Sequence, residues 1–400
     1  MTLEDGHHQQ QPKMIEKAES LEASEEIHSV PRLMSEITVE ILMRLPVESL
    51  LRCKSVCKLW CSLISDPHFI NSHLKLSSNC NNYANHILVF RTVPINLKSC
   101  NLNDVLYGKS IYVLELDYPL KHPDKSVSSE PDYPLKYRNN PVSIVGSCNG
   151  LLCILVDDET LFIWNPSTRR SNRLPYCNFE TGAGWYMSYG FGYDTLTDDY
   201  KVVVMFQFET GYTEVKIYSL RRGNWKTLSD FPQLNVFGDD GKFLNGAIHW
   251  FVSRDLGPSY SWTIVSVGLG NESYGEVPQP VYDEGDKYLT LGVLGEKLCV
   301  VCDFRGKCAD VWVMKVYGDQ DSWTKLVSVP HLTDPDGYYM PLLVSNDGKV
   351  LLKCWPKLVV YDSKNSLLFE IQKFDKFCEA YTFVESLVSP DSPIKPRIQL

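Results

Sequence analysis

The stretch Leu33-Met-Ser-Glu-Ile-Thr-Val-Glu-Ile-Leu-Met-Arg-Leu-Pro46, continued by Val47-Glu-Ser-Leu-Leu-Arg-Cys-Lys-Ser-Val-Cys-Lys-Leu-Trp60 and Cys61-Ser-Leu-Ile-Ser-Asp-Pro67, decides how the chain divides. It is helical in period and dense in apolar residues, whereas the rest of the chain towards the C-terminus alternates like strands. Ser35 is placed to cap a first helix, in which Ile37, Ile41 and Leu45 recur at i, i+4 and i+8 with Leu42 alongside. Pro46 stops that helix, because its ring excludes the preceding helical turn. A second short helix over Val47–Lys54 turns Leu50 and Leu51 inward. A third over Ser55–Ile64 carries Val56, Leu59, Trp60 and Leu63 on one side. Asp66-Pro67 breaks it, and a last turn or two carries Phe69, Ile70 and Leu74. A unit of about forty residues cannot enclose so many apolar side chains. Part of its surface faces either the adjoining β domain or a partner protein.

Composition narrows the class. A chain of 400 residues exceeds one small core, so two folded units are expected. Aromatics at 12%, with nine Trp and 22 Tyr, favour β structure. A net charge of −10 argues against nucleic acid as the main partner, since phosphate binding needs a concentrated basic face. No apolar run reaches membrane-span length and the N-terminus has no apolar signal region, so the cytoplasm, the nucleus or both are the expected location. The 13 Cys then count as thiols rather than bridges. Residues 1–30 lack aromatics and carry Glu16, Glu19, Glu22, Glu25 and Glu26, which reads as a disordered acidic arm. A turn-rich linker comes after the helices at residues 77–82, and residues 390–400 read as a flexible tail.

From Ile144 a repeat emerges: an alternating strand, a polar turn, then an aromatic or Leu and often a Pro. Its copies are Leu161 to Pro175, Val215 to Leu228, Thr263 to Pro278, Val311 to Leu326 and Leu358 to Ile371. Their spacing, about 40 to 55 residues, is that of propeller blades. Asn149-Gly150, Asn245-Gly246 and Asp347-Gly348 mark tight hairpins. Strands over 83–120 make one further unit, giving six, and a strand over Tyr381–Leu387 is placed to close the ring on the first blade. Residues 117–141 form a proline-rich surface loop in which Asp117-Tyr-Pro-Leu-Lys recurs at Asp132. The expected fold is mainly β with a small α module, a three-helix unit over 31–76 and a β-propeller over 83–389.

Two resemblances attach to these residues. The run Glu40 to Trp60, a helix ending in Leu-Pro, a Leu-Leu pair, then Val-Cys-Lys-x-Trp and an Ile-Ser-Asp-Pro exit, resembles an F-box. Met34 stands where that family usually has Pro. Residues Ile144 to Ser389 resemble the F-box-associated domain of plant F-box/kelch-type proteins, through Ser147-Cys-Asn-Gly-Leu-Leu-Cys, Trp164-Asn-Pro-Ser-Thr-Arg, Tyr189-Gly-Phe-Gly-Tyr-Asp and Leu244-Asn-Gly-Ala-Ile-His-Trp. The resemblance implies a substrate receptor of an SCF-type ubiquitin ligase. It would dock on a Skp-type adapter, and through it on a cullin-RING scaffold, while the propeller holds a protein target. The adapter face is expected among Leu33, Ile41, Leu42, Leu45, Pro46, Leu50, Leu51, Val56, Cys57, Trp60 and Leu63, some of which must instead be the module's own core. Aromatic loops suggest Trp185, Tyr186, Tyr260, Trp262, Tyr338 and Tyr339 for the target, with packing between blades as the competing reading. A propeller scaffold without ligase output, holding a protein or a glycan, is the alternative.

Catalytic chemistry is not legible. Cys299 and Cys302, with Cys308 nearby, have ligand-like spacing, but the first two point to opposite faces of a strand and no further pair completes four ligands. Small buried hydrophobes are the better reading. His249, within Ala-Ile-His-Trp, reads as a hydrogen-bonded core histidine. Asp157-Asp158-Glu159 reads as a solvated hairpin turn. Gly190-Phe-Gly192 lacks the third Gly and the helix of a nucleotide loop. Arg169, Arg170 and Arg173 read as a solvated loop. No nucleophile stands in a recognisable activated turn. The expectation is a non-catalytic chain with no metal and no cofactor.

Overall fold

A computed structural model describes residues 35–391 apart from 80–82, 93–95, 109, 121–141, 179–183, 209–210, 230, 233, 237–239, 254–261, 286, 305–306, 331–338, 355–356 and 372–376. The acidic arm, Leu33, Met34, the second Asp-Tyr-Pro-Leu-Lys copy, Tyr260, Tyr338 and the last nine residues lie outside the described residues, as does the side chain of Trp185.

The helical module has four helices rather than three. They are α1 (Ser35–Met43), α2 (Val47–Cys53), α3 (Lys58–Ile64) and α4 (Pro67–Ser78). Asp66-Pro67 both ends α3 and starts α4. The Asp66 carboxylate accepts the His68 N–H at 2.8 Å and Pro67 occupies the first helical turn, where its missing N–H costs nothing. The expected last turn or two is therefore a 12-residue helix. Its His73 Nε2–H donates to the Leu45 carbonyl at 2.9 Å, which ties the turn after α1 to α4.

The β domain is a six-bladed propeller. Blade I holds β1 (His86–Thr92), β2 (Asn96–Asn101) and β3 (Leu114–Glu115), with the short helix α5 (Leu102–Leu106) between the last two. Blade II is β4 (Val142–Cys148), β5 (Leu151–Val156), β6 (Thr160–Asn165) and β7 (Arg170–Arg173). Blade III is β8 (Gly184–Asp194), β9 (Asp199–Phe208), β10 (Thr213–Ser219) and β11 (Asn224–Thr227). In blade IV, β12 (Asn235–Val236) and β13 (Lys242–Leu244) are two pieces that both pair with β14 (Ala247–Ser253), and β15 (Trp262–Gly268) and β16 (Tyr274–Val277) complete the blade. Blade V is β17 (Tyr288–Leu294), β18 (Lys297–Phe304), β19 (Cys308–Met314) and β20 (Trp323–Pro330). Blade VI is β21 (Tyr339–Val344), β22 (Lys349–Cys354), β23 (Lys357–Asp362) and β24 (Leu367–Glu370).

The last strand, β25 (Phe377–Val384), returns to blade I as its innermost strand and pairs antiparallel with β1, Leu88 opposite Thr382 and Phe90 opposite Ala380. Pairing with β25 covers the inner edge of β1, and ring closure gives every blade a neighbour on each side, so that short outer strands are the edges left to solvent.

The repeat seen in the sequence is the outer half of each blade. Its aromatic and its Pro answer to one another across blades. Trp225 Nε1–H of blade III donates to the Pro175 carbonyl at the end of blade II (2.8 Å), and Trp323 of blade V does the same to Pro278 after blade IV (2.9 Å). The Asn-Gly pairs make the expected turns. Asn149 and Gly150 have φ of 51° and 76°, and Asn245 and Gly246 have 50° and 73°, the double positive of a type I′ hairpin.

Gly190 and Gly192 are packing residues. A Cβ on Gly190 would collide with Ile248, and one on Gly192 with the Phe243 ring, so blade IV approaches β8 only because both are glycine. Gly192→Ala is expected to cost about 1–3 kcal/mol, the usual penalty of overpacking. In urea unfolding, combining it with Phe243→Ala recovers part of that loss. A double variant whose loss is the plain sum of the two singles would contradict the collision.

Candidate functional site

In the helical module the burial of each side chain divides core from surface. Leu42, Val47, Leu50, Ile64 and Phe69 form the core, with Leu45, Leu51, Trp60 and Leu63 packed partly against it. Leu42 and Leu50 are 1% and 0% exposed, so they leave the adapter face to which the sequence assigned them: both are sealed beneath neighbouring helices. The positions left outside are Ile41 at 47% and Val56 at 63%, with Pro46 and Cys57 also exposed. Ile37 and Leu59, absent from the expected face, are exposed as well. The signal for Ile37 was present: it shares a helix face with Ile41 at i, i+4.

Exposed ion pairs Arg44–Glu40 and Arg52–Glu48 lie along α1 and α2. Fully solvated pairs of this kind contribute little to stability.

The module sits on one face of the ring. Ile70 and Leu74 of α4 pack on the core shared by blades II and III. Just beyond the helices, the Tyr83 hydroxyl accepts the Asn346 N–H of blade VI at 3.1 Å. Burial, with Arg170 of blade II adding to it, lowers the pKa of Lys54 at the end of α2.

Strand direction identifies the opposite face. From axis to rim each blade is four strands deep, β12 and β13 sharing the innermost place in blade IV, so all innermost strands run the same way. The chain enters β1 and leaves β25 on the helical side. Strands β8, β15 and β21 therefore begin on the far side, which brings together the ends of all three aromatic stretches picked from the sequence. Their side chains are not equivalent. Tyr339 is 1% exposed and belongs to the core between blades V and VI, so it is a packing residue and not a loop anchor. Trp262 is half-buried, with its ring edge-on to Phe251 at 6.4 Å. Tyr186 is half-buried beside the core of blades III and IV. An aromatic row missed in the sequence lies on this side too. Phe206 and Phe208 meet at 4.5 Å, and Phe208 meets the exposed Tyr212 at 5.6 Å. The alternating Phe-x-Phe before a Gly-containing turn was its signal.

On the axis, inner strands enclose a cavity of about 370 Å³, with Leu74 and Ser78 of α4 at its margin. Lys242 of blade IV reaches the ring of Tyr381 on β25, 5.5 Å from its centroid. Most of the lining is glycine, aliphatic or aromatic.

The residues with chemistry to offer fall into structural places. Cys299 and Cys302 are buried in β18, where burial raises both thiols, Cys302 to about 12. Among the described residues no group of three or more His, Cys, Asp or Glu could hold a metal ion. Asp157 and Asp158, with φ of 57° and 56°, form the β5–β6 turn. His249 is fully buried. Its Nδ1 lies 3.2 Å from the Lys242 carbonyl, which can only accept, so Nδ1 carries the proton and Nε2 accepts from the Tyr317 hydroxyl at 2.6 Å. Burial holds this imidazole neutral, with its pKa down at about 4.

A helical module with uncovered apolar positions is thus fixed to one face of a closed propeller. Residues 35–74 match the F-box-like family, and residues 104–390 match the F-box associated beta propeller domain. The chain belongs to the F-box proteins that carry this propeller. It is 35% identical to an F-box/kelch-repeat protein of Arabidopsis thaliana, over 92% of this chain and 99% of that one. It is 32% identical to the F-box protein CPR1 of the same plant, over 88% of each. Among solved structures, AofleA from Arthrobotrys oligospora aligns with a TM-score of 0.43 at 11% identity, over 77% of this chain and 88% of that one. Among the described residues no helix is long and apolar enough to cross a membrane.

His249 gives a pH dependence with a definite sign. Its folded pKa lies below the unfolded value of about 6.5, so the unfolded chain binds the extra proton. The stability it confers is complete above about pH 6.5 and is lost as pH falls towards 4, by about 3 kcal/mol at most. Urea midpoints measured from pH 7 to pH 4.5 are expected to fall less steeply for His249→Gln than for the wild type. Equal slopes would contradict a neutral buried imidazole.

Proposed function

We propose that this chain is the substrate receptor of an SCF-type ubiquitin ligase. The F-box docks on a Skp-type adapter, and through it on a cullin-RING scaffold. The propeller face opposite the F-box holds a protein target. The chain does no bond chemistry. It raises the effective concentration of target beside the conjugating enzyme, which is a positioning role. Such a receptor works in the cytoplasm, the nucleus or both.

The observation that carries this reading is the exposure of Ile37, Ile41, Val56 and Leu59 on a module whose core is filled by other residues, Leu387 among them. Burying one such side chain in a partner is worth about 1.5–3 kcal/mol. Ile37, Ile41, Val56 and Leu59 belong to none of the apolar clusters by which α4 and Leu387 join the module to the ring. The far face supports target binding through its aromatic strand ends, with Tyr186, Trp262 and Tyr212 as the described side chains in reach.

Pull-down with a recombinant Skp-type adapter tests the assignment. Ile41→Glu combined with Leu59→Glu is expected to weaken capture at least about tenfold, equivalent to about 1.4 kcal/mol, with the urea midpoint little changed. Leu50→Ala should instead destabilise the module by about 2–5 kcal/mol, because it empties a core position. Full capture by a folded Ile41→Glu/Leu59→Glu chain would contradict the proposed face.

A further inference from the structure

Beyond Val384 the chain leaves the closing strand and crosses the F-box side of the ring. The Glu385 N–H donates to the Asn85 carbonyl at 2.9 Å, just before β1. Ser386 is wholly buried beneath the Asn149-Gly150 turn, where a Cβ on Gly150 would collide with it. Asn165, also wholly buried, ends β6. Its Nδ2 donates to the Ser386 carbonyl at 3.0 Å and the Val388 carbonyl at 2.7 Å, while its Oδ1 accepts the Ser167 N–H at 2.9 Å. Every polar capacity of that amide is spent on one blade turn and one crossing segment.

Held in this way, two successive side chains enter two different cores. Val388 joins Leu151, Phe191 and Tyr218 inside blades II and III. Leu387, 5% exposed, joins Leu42, Leu50, Ile64 and Phe69 inside the F-box. A helical unit this small is marginal by itself, since it buries too little surface to offset its ordering entropy. One borrowed leucine is a substantial part of such a core.

We propose that the F-box binds its adapter only when the propeller ring is closed, because closure delivers Leu387 to the F-box core. A chain that stops short of Leu387, or whose last strand fails to pair with β1, lacks the side chain that fixes α1 and α3 against α4. Its exposed residues Ile41 and Leu59 then have no single arrangement to offer. The adapter is thereby reserved for receptors whose target-binding end is complete. This inference rests on the adapter-binding role of the F-box, and two separate readouts keep the two apart.

Full-length Leu387→Ala and Asn165→Asp chains make the test. The Asp variant keeps the acceptor for the Ser167 N–H and replaces the donor to the crossing segment by a carboxylate oxygen that repels the Ser386 and Val388 carbonyls. The first readout is amide hydrogen exchange, and the second is the affinity for a recombinant Skp-type adapter. In Leu387→Ala, exchange across α1–α3 is expected to rise about thirtyfold or more, the factor matching the low end of a buried Leu→Ala loss. Blades III to V stay protected, and adapter binding weakens in step. Asn165→Asp gives the same pattern without touching the F-box core. Unchanged exchange in α1–α3 of both variants would overturn the latch. Raised exchange with wild-type adapter affinity would overturn its role in binding. A wild-type chain that captures no adapter fails the receptor reading and the binding role together, while the exchange result still decides the latch.

Discussion

The pairing of β25 with β1 is the contact on which the rest depends. It joins residues almost three hundred positions apart, from His86 opposite Val384 to Thr92 opposite Phe377. Such long-range contacts carry a large loop-closure entropy, and they are made late because nothing local rewards them first. Without them blade I lacks its inner strand, and the core it shares with blade VI lacks Ala380. Once they form, Glu379 at the start of β25 meets Arg91 at 2.8 Å and accepts the Ile144 N–H at 2.9 Å, stitching blades I and II together. The same strand then carries the chain to Ser386 and Leu387. Ring closure and the seating of the F-box are consecutive steps of one segment.

That arrangement suits the receptor role proposed above. A receptor that works by proximity needs its two ends held at a fixed separation, since a slack joint spreads the target over a larger volume and lowers its effective concentration. Three independent anchors fix the joint: Ile70 and Leu74 on blades II and III, Tyr83 on blade VI, and Leu387 in the F-box. The propeller itself is made stiff by ties between blades, the Trp-to-Pro bonds and the His249–Tyr317 bond among them. Stiffness between the ends leaves adaptability to the loops, which is where binding specificity usually resides.

Much of this was legible in the sequence. Local rules sufficed where one segment decides its own geometry: the Asn-Gly turns, the strand repeat, and Pro46 between α1 and α2. The number of blades and the closing strand were also readable, because a repeat must be completed to bury its own edges. What the sequence could not divide was core from surface in the F-box. Ile41 and Leu42 are neighbours of equal hydrophobicity, and the choice between them is made by α4 and by Leu387, more than three hundred residues away. Asp66-Pro67 was read as a stop when it is also a start, since the capping carboxylate and the proline serve the next helix. Tyr339 looked like a loop aromatic because its neighbours Gly337 and Tyr338 suggest a turn, yet it begins an inner strand and faces a core. The paired glycines of β8 had no reading as a motif because their reason, the Phe243 and Ile248 side chains of blade IV, lies elsewhere in the chain.

The central claim is that the exposed apolar positions of the F-box, and not the propeller, engage the adapter. Hydrogen exchange of the full-length chain with and without a Skp-type adapter tests it most directly. The account predicts a one-to-one complex in which protection increases at residues 36–43 and 54–62 while the six blades keep their rates. Protection gained on the blades with none on these helices, or no complex at all, would contradict it.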